Sequence, residues 1–542
     1  MADRLFGMET EYAFTARDHD GRVLSPGPLV EQLERIAANR FPSLPGLRSS
    51  GIFLQNASRL YRDPAGNYTH LEIAGPECAN PWDIVRYLQA GERQLVELAA
   101  ELKNANPTVA EAAFNKTNID YSGAHTTWGC HESYLTSQPI GALSRDIVPH
   151  LASRIILTGA GGFNSRSPGI EFLISPRVAH LTTVENTGSQ YERPIFHTRD
   201  EPLCDGFRRL HVICGESLGS EQSAWLKIAT TAVVVAMADA GLHPGDAVRM
   251  TSPVEAMRIY TSDPGCRSRA LLADGRTLTA IEVQRHYLEQ AERHQHADFM
   301  PAFWTGQLCR EWRRALDQLE QRHAVAARQL DWAIKLDLFR QHTARRGFAW
   351  ETLPIWNEAL RRLHQASQPP PPVIPGKEPS LPRFIPGTAI SNTTAAREVL
   401  AAPPGPGLDW TQLPALLQLR QELFEIDWRF GELGERGLFA QLERAGVLSH
   451  HCEGVDNIEH AMFYPPDSGR ALLRGAVIRR VTHVRDRFAC DWKGIFDIAN
   501  CVMLDLGDPF AHEECWRPFA RPSRMSGPDA DPAAARFFAE LL

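Results

Sequence analysis

The stretch "GMETEYAF", Gly7 to Phe14, puts Glu9 and Glu11 two residues apart in an otherwise apolar or β-prone run. Side chains alternate faces along a strand, so both carboxylates project to one side. Like charges that close repel unless something cationic lies between them. A half-buried strand whose polar face meets water alternates in the same way. The stretch therefore sets an N-terminal strand and leaves the purpose of its charged face to the rest of the chain.

Composition narrows the field. The 542 residues are 43% hydrophobic and 23% charged, ordinary for a globular protein with a large core. Length suggests about three to four domains, or one large catalytic domain with additions. A net charge of -8 gives no support to a general nucleic-acid binder. No apolar run is long enough to span a membrane. "MADRLFGMETEY" has no apolar core of the secretory-signal kind. Ten sparse cysteines without CxxC spacing suggest neither a zinc ribbon nor a redox dithiol, and a reducing cytoplasm is expected.

Along the chain, "GIFLQNASRLYRD" (51–63) and "RRLHVICG" (208–215) read as strands. "PWDIVRYLQAGERQLVELAAELKNA" (81–105) reads as an amphipathic helix with a proline at its start, and 223–241 as an apolar helix stopped by Gly241. Residues 280–346 read as helical. The segment 366–408, with "SQPPPPVIPGKEPSLPRFIPG" and "AAPPGPG", holds too much proline and glycine for long helices or central strands. We expect a catalytic domain over 1–365, an insertion or linker over 366–408, a helical return over 409–424 and a smaller C-terminal domain over 425–542.

Four further stretches concentrate polar groups that a core would reject. "SRLYRDPAGNYTHLEIAGPEC" (58–78) spaces Arg59, Tyr61 and Asp63 by two, and adds His70, Glu72 and Glu77. "FNKTNIDYSGAHTTWGCHESY" (114–134) carries His131-Glu132, and "HTRDEPLCDGFRRLHVICGES" (197–217) carries Arg208, Arg209 and His211. "PPDSGRALLRG" (465–475) sets Arg470 and Arg474 four apart, on one face if helical. Carboxylates and histidines without paired cysteines suit a hard cation such as Mg²⁺. Separate arginines suit phosphate. Neither GxxxxGK[ST] nor GxGxxG occurs, so any nucleotide site is of another kind.

These motifs, with "LDWAIKLDLF" (330–339) and "DW" at 491–492, resemble in type and order those of the Pup ligase and Pup deamidase/depupylase family, relatives of glutamine synthetase. The resemblance covers about 4–345 and 420–512. It implies an α+β fold: a curved antiparallel sheet backed by helices, with a smaller C-terminal domain. It implies ATP and Mg²⁺ as cofactors. It implies Glu9, Tyr61 and Glu72 as magnesium ligands, with Glu11 and His211 beside them. Arg59 and Trp492 are implied as ATP contacts, Arg208, Arg470 and Arg474 as further contacts of the nucleotide, and Asp63 as the catalytic base. The family usually has a threonine near the nucleotide where this chain has Gly75. The partners implied are a small disordered ubiquitin-like modifier and its lysine conjugates, with a link to a bacterial proteasome system and no nucleic acid or membrane.

Within that family the sequence divides. The short spacing from Glu11 to Asp63 looks like a ligase. "GPECANPWDIVRYLQAGER", "SPVEAMRIYTSDP" and "LLADGRTL" look closer to the deamidase/depupylase, and the sequence leans narrowly that way. A ligase joining the modifier to lysines is the alternative. A small-molecule glutamate–amine ligase and an inactive binding relative stay open.

Overall fold

In a computed structural model of the chain, the described residues are 4–519 apart from 48–50, 66–67, 124–125, 188–192, 200–202, 302, 322–324 and 368–393. The expected N-terminal strand is β1 (Phe6–Arg17), and its burial alternates along the first half: Met8, Thr10 and Tyr12 are buried, while Gly7, Glu9 and Glu11 are half-buried on the other face. It lies at the centre of a ten-stranded sheet. On one side of it come β5 (Tyr68–Ala74), β4 (Arg59–Ala65), β3 (Ile52–Leu54) and β2 (Ser43–Pro45). On the other come β7 (Cys130–Thr136) and the strands Arg208–Val212, Pro194–His197 and Thr183–Asn186, while β6 (Glu111–Asn115) pairs with the second half of β1. All these pairings are antiparallel except the last, Thr183–Asn186 beside Pro194–His197, so the sheet is mixed at that edge.

Apolar residues on one face of the strands explain where the helices go. Tyr12, Leu60, Leu71 and Ile73 pack with Leu29, Val30 and Leu33 of α1 (Pro26–Arg40) and Leu95, Leu98 and Leu102 of α2 (Pro81–Ala105). Phe6 and Met8 join the larger core, with Trp82 and the helices Ile140–Ser153 and Glu221–Asp239. Helix α2 has the bounds its pattern suggests, because Asn80 caps it by accepting from the Asp83 amide and Pro81 follows. The apolar helix Glu221–Asp239 ends just before Gly241, whose φ of 76° is costly for a residue with a Cβ. "GIFLQNASRLYRD" forms two strands rather than one, broken where Ala57 takes φ 67°.

A second sheet of four antiparallel strands, Phe488–Asp491, Gly494–Asp497, Val502–Asp505 and Trp516–Pro518, packs with the helix Gly469–Val481. Leu44 and Phe53 from β2 and β3 enter the same apolar cluster, which fixes this unit to one end of the main sheet. The ten cysteines are all free thiols, and no described helix is long and apolar enough to cross a membrane.

Most of the proline-rich segment, 368–393, lies outside the described residues. Its end is not uniformly extended, since Thr394–Ala401 is helical and packs on Leu353–Ser367, burying Ala396. The helix Leu413–Gly431 runs through residue 424 without a break. Replacing 368–393 with a short Gly/Ser linker is expected to leave the circular-dichroism spectrum and ATP affinity unchanged. Loss of either would show that the segment packs on the site.

Candidate active site

Strand register assembles the charged face. Glu11 lies opposite Glu72, which lies opposite Tyr61; Glu9 lies between His131 and Ala74, with Arg59 beyond; Asp63 faces His70. Every one of these side chains follows from the same alternation, carried across four strands. Like charges directly opposite one another destabilise a sheet, so the Glu11–Glu72 pair needs a counter-charge.

Two groups of potential metal ligands result. Glu9, His131 and His211 form one, and Glu11, Asp63, His70 and Glu72 the other; within each, one ligand atom per residue lies within 4.8 Å of the rest. Glu9 accepts from Arg209, and His211 Nε2 lies 3.4 Å from its other oxygen. Burial would raise the Glu9 carboxyl, but Arg209, His211 and His131 outweigh it and hold it well below the usual range. Burial and Arg209 push His211 down to about 3, leaving a neutral imidazole able to bind a metal.

The second group has no guanidinium or ammonium within ion-pair distance. Among the described residues no Arg or Lys makes an ion pair with Glu11, Asp63 or Glu72, and the imidazoles of His70 and His131 lie 3.8–3.9 Å from the Glu11 carboxylate, His70 also 3.9 Å from Asp63. Both ring nitrogens of His70, a buried residue, lack a hydrogen-bond partner. Burial, then Glu9 and Glu11, push the Glu72 carboxyl well above its ordinary value. Burial and Glu11 raise Asp63 while His70 lowers it, and the net shift is upward. Burial, Glu72 and Glu9 raise the Tyr61 phenol, so it stays neutral. Surplus carboxylates and orphaned imidazole nitrogens are what a divalent cation would satisfy, so these residues fit Mg²⁺.

Beside Glu9 a cavity of about 90 Å³ opens towards solvent, lined by Gly7, Glu9, Gly75, Arg209, Arg470 and Trp492 among others. Its largely apolar wall with a few convergent polar groups suits a small organic ligand. A Cβ on Gly75 would meet only the Met8 carbonyl, at 3.4 Å, so a side chain would fit and this chain does without one. Arg59 lies over the Tyr61 ring, 4.2 Å from its centroid, and also near Phe53, which meets Trp492 edge-on.

The three arginines expected near the nucleotide differ in their surroundings. The side chain of Arg208 shares the parity of Leu210 and Val212, the core face of its strand; it is Arg209 that shares the face of Glu9 and His211. By register Arg208 therefore shares the core face of its strand, while Arg209 reaches Glu9. Arg470 and Arg474 lie on one helix face, as their spacing suggests, and both pair with Glu77, which they hold at about 2 against the opposing effect of burial. Arg470 still lines the cavity, whereas Arg474 is fully buried with its guanidinium over Trp492. Their charge is matched inside the protein. His70, His131 and Arg209, which stand in the charged stretches without an assigned role, join the site.

The fold is that of two solved structures. One is the complex between the prokaryotic ubiquitin-like protein Pup and its ligase PafA, with TM-score 0.69 and 24% identity over 94% of this chain and 90% of that one. The other is the Pup ligase PafA in complex with ADP, with TM-score 0.62 and 23% identity over 90% and 92%. The chain belongs to the Pup-ligase protein family, whose model matches residues 4–360 and 408–496. Its relatives include the Pup–protein ligases of Acidimicrobium ferrooxidans, 31% identical over 95% of this chain and 97% of that protein, and of Rhodococcus opacus, 35% identical over 91% and 93%. It is thus an enzyme of a ligase family.

Proposed function

We propose that the protein is a Pup–protein ligase, which joins the side-chain carboxylate of a modifier's C-terminal Glu to substrate lysines at the expense of ATP. The observation that carries this reading is full-length similarity to Pup–protein ligases. It favours the ligase over the deamidase/depupylase towards which the sequence leans.

The cavity at Gly7, Glu9 and Trp492 is the place for the nucleotide. Glu9, Tyr61 and Glu72, with Glu11 and His211, would hold Mg²⁺, which when bound offsets the negative charge of the phosphates. The modifier's carboxylate attacks the γ-phosphate and releases ADP, giving an acyl phosphate. A lysine amine then displaces phosphate and forms the isopeptide bond. Asp63 is the residue to accept the lysine proton. Its side chain is 42% exposed, whereas Glu72 is 3% exposed, so an incoming lysine reaches Asp63 and not Glu72. Its raised carboxyl also moves its basicity towards that task. Arg209 holds Glu9 in place and donates to Ser133.

Titration calorimetry tests the cofactor reading. ATP is expected to bind with Mg²⁺ and far more weakly without it; equal affinity in both conditions would remove the metal from the scheme. Product analysis tests the reaction. With a Glu-ended modifier, ATP and a lysine acceptor, ADP is expected in step with conjugate. Ammonia from a Gln-ended modifier, without stoichiometric ADP, would mark a deamidase instead.

A further inference from the structure

Away from the sheet, two histidines and a glutamate stand together with no part in the scheme above. Glu443 lies in the last turn of the helix Leu438–Arg444, and His450 and His451 in the loop that follows. One ligand atom from each lies within 4.8 Å of the others, and none of the three belongs to the charged face.

His450 is 1% exposed, and its Nε2 is buried without a hydrogen-bond partner. Glu443 Oε1 lies 3.2 Å from that nitrogen, close enough for a hydrogen bond but out of line for one. Phe439 holds the ring edge-on at 4.9 Å, and the His450 carbonyl accepts from the Gln222 amide. His451 faces a carboxylate with each nitrogen: Nε2 lies 3.6 Å from Glu443 Oε1 and Nδ1 3.3 Å from Glu221 Oε1. Glu221 is itself fixed, because it accepts from the Cys452 amide and the Gln89 side chain, each at 2.8 Å.

An ion pair of Glu443 with protonated histidines accounts for the distances. It leaves the His450 nitrogen unaligned with its carboxylate, which is costly for a buried donor. A metal ion accounts for both the closeness and the misalignment. Ligand atoms about 2.0–2.2 Å from one tetrahedral ion are about 3.3–3.6 Å from each other, and they point at the ion. The spacings of 3.2 and 3.6 Å from Glu443 Oε1 to the two imidazoles match that arrangement. The contact with Glu221 points the same way. A metal-bound histidine commonly donates its other ring N–H to a carboxylate, and Nδ1 of His451 is placed to do so while Nε2 stays free as a ligand. In His450, Nδ1 receives the Glu221 amide at 3.4 Å. Metal at Nε2 shifts the ring hydrogen to Nδ1, and this long contact is given up.

Two imidazoles and a carboxylate suit Zn²⁺ rather than Mg²⁺, which prefers oxygen ligands. His451 is 65% exposed, so the ion enters from solvent and water completes its shell. Lys116, whose charge reaches Glu443, is matched by both oxygens of Glu92. We propose that Glu443, His450 and His451 bind Zn²⁺, with Glu221 orienting His451, at a site separate from that of the nucleotide. The ion ties the loop at 450–451 to the helix Leu438–Arg444, beside the start of the helix Glu221–Asp239.

The test titrates the full chain with Zn²⁺ alone, reading bound metal by equilibrium dialysis and stability by melting temperature. The acidic face and the thiols also take up Zn²⁺, so the reading is the difference between wild type and His451→Gln or Glu443→Gln, both at positions open to solvent. Wild type is expected to hold one more tightly bound Zn²⁺ than either variant. Its melting temperature is expected to rise with Zn²⁺ by an increment that both variants lack. Either variant should weaken the site by more than the roughly 10–100-fold that follows loss of a neighbour which only orients a ligand. Affinity for ATP in Mg²⁺, which requires the folded chain, stays at the wild-type value. Equal Zn²⁺ stoichiometry in wild type and either variant overturns the proposal, and so does an equal shift in melting temperature. Loss of the extra ion together with loss of ATP binding also overturns it, by placing that ion at the nucleotide site.

Discussion

Asp63→Asn is expected to lower turnover by about 10²–10⁴-fold while ATP still binds. The substitution keeps shape but removes a base and a negative charge. Asp63 lies at the exposed rim of the acidic cluster, at the end of its row, while the nucleotide cavity lies beyond Glu9. Loss of the charge also relieves repulsion on Glu11 and Glu72, so the fold should not suffer. Single-turnover measurement separates two contributions. If Asp63 acts only on the lysine, acyl phosphate formation persists, seen as ADP release in the absence of acceptor, and transfer fails. Full conjugating activity in Asp63→Asn would refute the assignment of the base.

Arg154→Met is expected to destabilise the protein by about 3–5 kcal/mol, because it leaves a charge buried without its partner. Glu132 is fully buried in β7, next to His131. It accepts from both terminal nitrogens of Arg154, at 2.8 and 2.5 Å, and from the Tyr134 hydroxyl at 2.6 Å. Burial would raise the Glu132 carboxyl, but Arg154 and Lys227 outweigh it and hold it below its ordinary value. Without Arg154, Lys227 at 3.8 Å is the remaining cation among the described residues. The first urea unfolding transition measures the loss. The double variant Arg154→Met/Glu132→Leu should regain much of it, since removing both charges also removes the desolvation cost. A single variant as stable as wild type would show that water reaches Glu132.

The sequence by itself determined the strand at 6–17 and the shared direction of Glu9 and Glu11, because a period of two needs no partner to be read. It determined α2 in full, through Asn80, Pro81 and an apolar stripe, and the helix before Gly241. The acidic set was legible for the same reason: Tyr61 and Asp63 share the parity of Arg59, and Glu72 stands in a β-prone run. What alternation cannot supply is register. Arg208 and Arg209 are adjacent and equally charged, and only the pairing of Arg209 with Leu135, and of His211 with Ser133, shows which one reaches Glu9. Likewise Arg470 and Arg474 read as free cations until folding brings Glu77 to them across some 390 residues. Which side chains can occupy one face is a local property of the backbone. Which charges are neutralised there depends on contacts between distant segments, and these form only when the chain closes on itself.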